Sequence, residues 1–261
     1  MATLTALTRA PAATLAECEL TYLDRAPIDL ALARRQHAAY CAALHEAGAR
    51  VVTLPPEDRF PDSVFVEDPA LILDEVAVLT RPGVASRQGE VDLLAPAIAV
   101  YRPTVRLQPP ATLEGGDVMR IGRTLFVSPS RRTNLAGIAA LRSLVAPFGY
   151  TVVSVTLRDG LHLKTACTTL DAETILLHPA WVDATPFAGY RLVPVAPDEP
   201  LAANTLRVND TVLMGAACPK TQALVRDLGY SVVTVDTSEF QKAEAALTCM
   251  SLLIPEAAPH A

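Results

Sequence analysis

A cysteine near the end of the chain, Cys249, stands in the stretch ALTCMSLLIP at residues 246–255. A thiolate is a strong nucleophile, and a nearby imidazole can activate it and later protonate a leaving amine. His162, in LHLKTA, has apolar neighbours and is the candidate for that imidazole. The simpler interpretation is that Cys249 fills core space in a short buried strand and that His162 is a buried structural histidine.

Five polar residues favour the chemical interpretation through their spacing. Asp68, Glu114, His162, Asn204 and Cys249 are separated by 46, 48, 42 and 45 residues. Equivalent positions of successive repeated modules converge on the axis of a closed ring. The spacing therefore predicts that these five side chains meet at one site.

Carboxylates cluster in FPDSVFVEDP, which contains Asp62, Glu67 and Asp68. Acidic groups beside an apolar VFV segment indicate a pocket for a cation, and the alternative is a solvated loop with turn-forming aspartates. A guanidinium suits such a pocket because it is planar, permanently charged and able to donate to several carboxylates. Arg87 and Arg132 are candidates for binding a carboxylate on the same ligand, although most arginines lie on the surface.

A repeat indicates the elements that must position these residues. Gly149, Gly189 and Gly229 each precede a tyrosine and a β-branched segment, with 40 residues from one glycine to the next. A weaker copy begins at Gly48. A glycine of this kind suits the end of a helix that leads into a strand.

Helical spacing before three of these glycines predicts helices over 36–47, 133–148 and 220–228. Asn134 is a predicted N-cap, and so is Thr133 or Thr221. Short strand pairs complete a strand, strand, helix, strand module that recurs about five times. We therefore expect an α/β fold, a closed ring of such modules, as one domain over 1–261, because no module buries its apolar face alone. Residues 256–261 are predicted to be a disordered tail.

The composition excludes several classes of protein. The 261 residues are 51% hydrophobic and 19% charged, which is typical of soluble globular proteins. A net charge of −6 and a pI near 5.4 argue against nucleic acid or an anionic membrane as a partner. The start does not resemble a signal peptide, no 18 apolar residues run together, and the five cysteines form no CxxC pair. These features predict a cytoplasmic protein with reduced thiols.

Cofactor motifs are missing from the sequence. There is no HExxH and no ligand pattern of a dinuclear hydrolase, so no metal is expected. There is also no P-loop and no GxGxxG, so a nucleotide cofactor is not expected.

Six segments, taken together, point to a known family. FPDSVFVEDP, LEGGDV, SRRTN, LHLKTA, AAN and LTCMSL occur in this order over nearly the whole chain. In this combination they resemble the dimethylarginine dimethylaminohydrolases of the guanidine-modifying superfamily. The resemblance implies the pentein fold, a five-bladed α/β propeller, in agreement with the repeat.

The resemblance also implies roles for individual residues. Cys249 would be the nucleophile, His162 the general acid and base, and Glu114 the carboxylate that orients His162. The implied substrate contacts are Asp62 at the α-ammonium, Glu67 and Asp68 at the guanidinium, Phe65 beside the methylated end, Arg87 and Arg132 at the α-carboxylate, the backbone carbonyl of Ala243, and a flap near Glu19 and Leu20.

One segment departs from the family pattern. Where similar proteins have a hydrophobic residue followed by Asp-Gly-Gly, this chain has Ala243-Glu244-Ala245-Ala246. Because alanine resists backbone angles that glycine adopts, a different local path is expected, which leaves open both the role of the Ala243 carbonyl and the preferred guanidino substrate. Ser128-Pro129, where a glycine is usual, is a second departure.

The activity implied by the resemblance is hydrolysis of an Nω-methylated arginine to citrulline and a methylamine, through a thiouronium on Cys249 and without a cofactor. Arginine deimination, hydrolysis of another guanidino compound and amidino transfer need the same residues and remain alternatives. A non-catalytic pentein-fold binding module is an alternative of another class. The expected partner is a small cationic amino acid, with neither nucleic acid nor membrane, and a homodimer is one assembly open to the protein.

Overall fold

A computed structural model describes residues 4–256 of the chain. In this part, fifteen strands form five sheets of three strands each. The strands are β1 (Leu4–Arg9), β2 (Ala49–Leu54), β3 (Ala70–Ile72), β4 (Ala77–Leu79), β5 (Thr104–Arg106), β6 (Val118–Ile121), β7 (Thr124–Val127), β8 (Thr151–Ser154), β9 (Cys167–Thr169), β10 (Thr174–Leu177), β11 (Arg191–Pro194), β12 (Leu206–Val208), β13 (Thr211–Gly215), β14 (Ser231–Val235) and β15 (Leu252–Pro255). The α-helices are α1 (Leu30–Glu46), α2 (Glu90–Ala99), α3 (Leu135–Val145), α4 (Leu163–Ala166), α5 (Pro219–Asp227) and α6 (Ser238–Gln241).

Each sheet repeats one arrangement, in which the central strand is antiparallel to one neighbour and parallel to the other. In the second sheet, for example, β4 is antiparallel to β3 and parallel to β5, and α2 connects β4 to β5. A parallel pair requires such a crossover connection. The predicted strand, strand, helix, strand module is confirmed, except that a 3₁₀ turn at Thr185–Phe187 replaces the helix between β10 and β11.

The first sheet joins the two ends of the described chain. β1 pairs in parallel with β2 and antiparallel with β15, so that Leu4 lies opposite Pro255. This pairing completes the fifth three-stranded module. The protein is a five-bladed α/β propeller, as the family resemblance implied and in agreement with the ring of modules that the repeat predicted.

Tyr40 on α1 connects the core to the segment around Cys249. Its ring is fully buried in the core cluster that also contains Phe65 and Phe240. Its hydroxyl donates to the carbonyl of Leu247 at 2.9 Å and lies 2.7 Å from Ser251 Oγ. The α1 helix thereby contacts the chain on both sides of the candidate nucleophile, at the backbone of Leu247 and at the side chain of Ser251.

Two predicted helix boundaries differ from the structure. The α1 helix begins at Leu30, six residues before the predicted start, because Asp29 caps it by accepting from the backbone N–H of Leu32 at 3.0 Å. The predicted cap at Thr221 is wrong, since Thr221 lies inside α5, which begins with Pro219. The predicted cap at Asn134 is confirmed by its bond from the N–H of Gly137 at 2.7 Å.

Most of the predicted tail lies outside the described residues. Residues 257–261, which include His260, are outside the described range, so the predicted tail stays a prediction there. Glu256 is described, and its Oε1 lies 3.4 Å from Arg50 Nη2. Between residues 4 and 256, no helix combines the length and the apolar character needed to cross a membrane.

Candidate active site

Cys249 lies in a 3₁₀ turn, Thr248–Met250, directly before β15, and not in a strand as predicted. Asn204 holds this turn through two hydrogen bonds. The backbone N–H of Thr248 donates to Asn204 Oδ1 at 3.1 Å, and Asn204 Nδ2 donates to Thr248 Oγ1 at 3.1 Å. Side-chain bonds of this kind offer the backbone an alternative to strand pairing. The segment therefore forms a turn at residues 248–250 and becomes a strand only from Leu252.

His162 and Glu114 form a buried pair at the site. His162 Nε2 lies 2.7 Å from Glu114 Oε2, and Glu114 Oε1 accepts from the backbone N–H of Gly83 at 3.0 Å. The bond to Glu114 places a proton on Nε2 and leaves Nδ1, which is 4.0 Å from Asp68 Oδ1, to exchange protons.

Residues 114–117, with the sequence EGGD, pack closely against Glu67 and His162, and only glycine at positions 115 and 116 leaves room for this. A Cβ on Gly115 would lie 2.0 Å from the carbonyl oxygen of Glu67, and one on Gly116 would lie 2.5 Å from His162 Nδ1. Asp117 then accepts from the backbone N–H of Leu163 at 3.1 Å and fixes the start of α4 beside His162. Buried in this position, Asp117 has its pKa raised to about 6.

The imidazole and the thiol both have pKa values displaced from the ordinary range. Burial alone would lower the pKa of His162, but the carboxylates of Asp68, Asp117 and Glu114 outweigh it and raise the pKa to about 9. Burial, reinforced by the charges of Glu67 and Asp68, raises the pKa of Cys249 to about 12. At neutral pH the protein without substrate therefore holds an imidazolium and a neutral thiol.

Arg87 is a fixed positive charge in the wall of the site. Its guanidinium donates to Asp68 Oδ2 at 2.8 Å, to Glu90 Oε2 at 2.9 Å and to the carbonyl of Phe65 at 3.3 Å. Burial opposes ionisation of Asp68, yet His162 and Arg87 lower its pKa to about 2. Asp68 is therefore a carboxylate throughout the physiological pH range.

A small cavity of about 20 Å³ adjoins Cys249 and His162. Six of the predicted substrate contacts line it: Asp62, Phe65, Asp68, Arg87, Arg132 and Ala243. The structure thus brings together two arginines, two buried carboxylates and the candidate nucleophile.

A second cavity, of about 280 Å³, shares Cys249 and His162 with the first. Glu67 lies on this side, where its carboxylate accepts from Thr248 Oγ1 at 2.7 Å and contacts Lys164 Nζ. Glu67 and Asp68 therefore approach the thiol from different cavities. Leu20 packs its side chain against the core cluster that contains Tyr40 and Phe65.

The flap is defined here as Glu19–Leu23, of which Glu19 lines the small cavity and Tyr22 and Leu23 line the large one. The backbone N–H of Glu19 donates to both carboxylate oxygens of Asp62, at 3.0 and 3.3 Å. Arg132 Nη2 donates to Thr21 Oγ1 at 2.8 Å, and its Nη1 lies 3.5 Å from Glu114 Oε1. Arg132 thereby connects the flap to the carboxylate behind His162.

Sequence reasoning missed the acceptor that holds the rest of the flap. Glu244 accepts from the backbone N–H groups of Thr21, Tyr22 and Leu23 at 2.8, 2.5 and 2.6 Å. The departure at residues 243–246 marked this position, but as a change of backbone path and not as a side-chain acceptor. Lys164 was also missed, and its place two residues after His162 was the available signal.

Asp68, Glu114 and His162 offer ligand atoms that lie within 4.8 Å of one another and could hold a metal ion. Among the described residues this grouping is accounted for without an ion. Asp68 is bound by Arg87 and by the N–H of Gly116 at 3.1 Å, while Glu114 is bound by His162 and Gly83. The three groups form a network that can hold and transfer a proton.

Comparisons with known proteins cover nearly the whole chain. A protein of Pseudomonas aeruginosa named N(G),N(G)-dimethylarginine dimethylaminohydrolase is 36% identical over 248 residues, which are 94% of this chain and 97% of that protein. A protein of the same name from Streptomyces coelicolor is 40% identical over 252 residues, which are 96% and 97% of the two chains. This chain belongs to the dimethylarginine dimethylaminohydrolase family. No protein-family model matches the chain.

Solved structures of dimethylarginine dimethylaminohydrolases agree with this fold. The P. aeruginosa enzyme, as a Cys-to-Ser mutant complexed with citrulline, has a TM-score of 0.93 at 35% identity and covers 97% of this chain and 99% of its own. A His-to-Gly form of a dimethylarginine dimethylaminohydrolase, as an adduct with S-methyl-L-thiocitrulline, has a TM-score of 0.92 at 35% identity, with 97% and 100% covered. The N-terminal domain of ArgZ, an arginine dihydrolase of cyanobacteria, shares the fold at 22% identity and a TM-score of 0.88.

Proposed function

We propose that this protein hydrolyses Nω-methylated L-arginine to L-citrulline and a methylamine through a thiouronium intermediate on Cys249. The proposal is carried by one observation: the thiol and the His162–Glu114 pair adjoin a cavity that contains two arginines and two buried carboxylates. These charged groups, together with the adjoining cavity of about 280 Å³, complement the two charged ends and the length of a cationic amino acid. The citrulline complex of the P. aeruginosa relative supports the same class of ligand.

The amino-acid end of the substrate lies at the flap in this proposal. The α-carboxylate binds Arg132 and the fixed charge of Arg87, because a planar guanidinium can donate two parallel hydrogen bonds to a carboxylate. The α-ammonium donates to Asp62 and to the backbone carbonyls of Leu20 and Ala243. Burial raises the pKa of Asp62, so a bound ammonium also keeps that carboxyl ionised.

The guanidinium end lies between the two cavities, beside Cys249. Asp68 approaches it from the small cavity and Glu67 from the large one, so that two carboxylates flank the cation. Phe65, whose ring packs edge-on to Phe240 at 6.4 Å between centroids, supplies an apolar wall for the methylated end. Methyl groups gain from such a wall because it removes apolar surface from water.

Substrate binding activates the thiol. A cation about 4 Å from the sulfur contributes about 4 kcal/mol at an effective dielectric near 20, which corresponds to about three pKa units. Bound substrate therefore lowers the pKa of Cys249 from its value of about 12 in the protein alone. The thiol proton leaves to solvent, and the thiolate attacks the guanidinium carbon.

His162 then serves as acid and as base. With a pKa of about 9 it is an imidazolium at neutral pH, and its Nδ1 proton passes to the dimethylamino nitrogen as the C–N bond breaks. The neutral imidazole next takes a proton from water, which attacks the thiouronium carbon. When the C–S bond breaks, citrulline leaves and the sulfur regains a proton, while Glu114 stabilises each imidazolium.

Citrulline release tests the proposal. Purified protein is assayed with asymmetric dimethylarginine, monomethylarginine and arginine at equal concentrations. We expect turnover of both methylated substrates at a higher kcat/KM than arginine, and no turnover by Cys249→Ser. Hydrolysis of arginine alone would assign a deiminase, and full activity of the serine variant would exclude Cys249 as the nucleophile.

The proposal places this enzyme in the cytoplasm, in keeping with five cysteines that are all free thiols. It also includes a homodimer and no nucleic-acid or membrane partner. Light scattering of the purified protein measures the oligomeric state directly.

A further inference from the structure

Glu244 is an unusual residue in both its backbone and its side chain. Its φ of 57° lies in the left-handed region, which residues other than glycine rarely adopt. Its two carboxylate oxygens accept from three successive backbone N–H groups of the flap, at Thr21, Tyr22 and Leu23. A strained backbone persists only where surrounding interactions determine it, and charge-assisted bonds from the flap are such interactions.

The first of these bonds fixes the direction of a carbonyl group. The N–H of Thr21 belongs to the same planar peptide as the C=O of Leu20, and in a trans peptide the two groups point in opposite directions. By holding the N–H at 2.8 Å, Glu244 Oε2 turns the Leu20 carbonyl away from itself.

The same reasoning applies to the peptide before Glu244. Its N–H, which belongs to Glu244, donates to the carbonyl of Gln241 at 3.1 Å, so the carbonyl of Ala243 points the other way. Among the hydrogen bonds within residues 4–256, none ends on the carbonyl oxygen of Leu20 or Ala243. Neither oxygen is therefore engaged within this part of the chain, and Ala243 and Glu244 line the small cavity together with Glu19, the neighbour of Leu20 in the flap.

We infer that Glu244 is a positioning residue that fixes both of these carbonyls as acceptors for the substrate's α-ammonium. It acts through the flap on one side and through its own backbone on the other, without contacting the reacting atoms. The inference rests on the proposed function, since it assigns a specificity role within that site. The inference also explains one residue of the segment Ala243-Glu244-Ala245-Ala246, which departs from the family pattern. The glutamate side chain at position 244 is long enough to reach the flap.

The role predicts an effect that depends on the substrate's amino group. Glu244→Gln keeps the side-chain length but places an amide NH₂ against a backbone N–H, so at least one flap bond is lost. We expect KM for dimethylarginine to rise tenfold or more while kcat changes less than threefold. For the analogue without the α-amino group, an Nω-dimethylated 5-guanidinopentanoate, kcat/KM should change less than threefold.

Glu199→Gln is the matched control. The Glu199 carboxylate also accepts from successive backbone N–H groups, those of Lys220 at 2.8 Å and Thr221 at 2.7 Å, but it holds the start of α5 outside both cavities. It should lower stability without altering the ratio of kcat/KM for the two substrates. Glu244→Asp keeps the charge on a shorter side chain and should restore part of the affinity for dimethylarginine.

Equal losses for the two substrates, or no change in KM for Glu244→Gln, would overturn the inference. If that variant does not fold, amide hydrogen exchange of the unsubstituted protein decides. Protected N–H groups at residues 21–23 support the role, and exchange at the rate of an unfolded chain excludes it. Absence of any turnover by the unsubstituted protein would instead refute the proposed function, and the exchange measurement would still test whether Glu244 holds the flap.

Discussion

The Cys249 sulfur is a neutral thiol because it is buried and because two carboxylates, Glu67 and Asp68, lie near it. The backbone N–H of Ala246 and the ammonium of Lys164 oppose these effects but do not outweigh them. This arrangement protects the proposed nucleophile from oxidation and alkylation, which require the thiolate. In the proposed mechanism, the positive charge of the substrate then lowers the pKa of this thiol.

The pKa of Cys249 gives a direct prediction about its labelling. With neutral iodoacetamide, the labelling rate should rise with pH and reach no plateau below pH 10, because the thiolate fraction still increases there. Chloroacetamidine, of similar size but cationic, should label Cys249 faster at pH 7.5 and reach its plateau at lower pH. Mass spectrometry of the Cys249 peptide over pH 6–10 measures both rates. Equal pH profiles for the two reagents would show that a cation does not activate the thiol.

At the scale of elements, the 3₁₀ turn that carries Cys249 depends on a side chain from another module. Asn204 supplies both an acceptor and a donor to Thr248, and its Nδ2 also donates to the carbonyl of Lys164 at 3.0 Å. One amide thus sets the nucleophile's turn relative to the helix that follows His162. The similar spacing of the five polar residues reflects this arrangement, in which side chains from successive modules approach one another.

Asn204→Ala should lower both stability and kcat. A buried N–H of Thr248 then lacks its acceptor, which costs about 1–3 kcal/mol, and the turn is free to shift Cys249. We expect kcat for dimethylarginine to fall tenfold or more. Asn134→Ala is the control, since it removes a helix cap at about 1 kcal/mol and should leave kcat unchanged. Equal kcat values for the two variants would mean that Asn204 does not position the nucleophile.

Some elements were predictable because a local rule decides them. Gly149, Gly189 and Gly229 have φ values of 76°, 99° and 96°, so the repeat marked positions where only glycine is unstrained. The α2 helix was missed because it contains Pro96, which usually ends a helix. Glu244 was missed for a different reason: its partners lie 221 to 223 residues away, and no local pattern reveals such a bond.

At the scale of the whole molecule, we propose that the five modules unfold together as one domain. Each blade covers apolar surface of its neighbours, and the sheet of β15, β1 and β2 joins the two ends of the ring. Loss of packing in that sheet should therefore destabilise modules far from it. The single tryptophan, Trp181, lies in the module of β9, β10 and β11 and reports on such a distant module.

Ile254→Ala tests this cooperativity. Ile254 on β15 is fully buried, and its truncation should lower the free energy of unfolding by about 2–5 kcal/mol. We expect the urea midpoints from Trp181 fluorescence and from far-ultraviolet circular dichroism to fall together. A Trp181 midpoint that stays at the value of the unsubstituted protein would show that the modules unfold independently.

The pairing of β15 with β1 also orders events during translation. Of the fifteen strands in residues 4–256, β15 is synthesised last, and Cys249 is synthesised just before it. Because the five modules are proposed to unfold together, a chain that has not yet made β15 cannot complete the sheet of β15, β1 and β2, and its Cys249 is not held in place. We therefore expect that a chain without β15 forms no covalent adduct with substrate, because the turn that carries Cys249 leads directly into that strand.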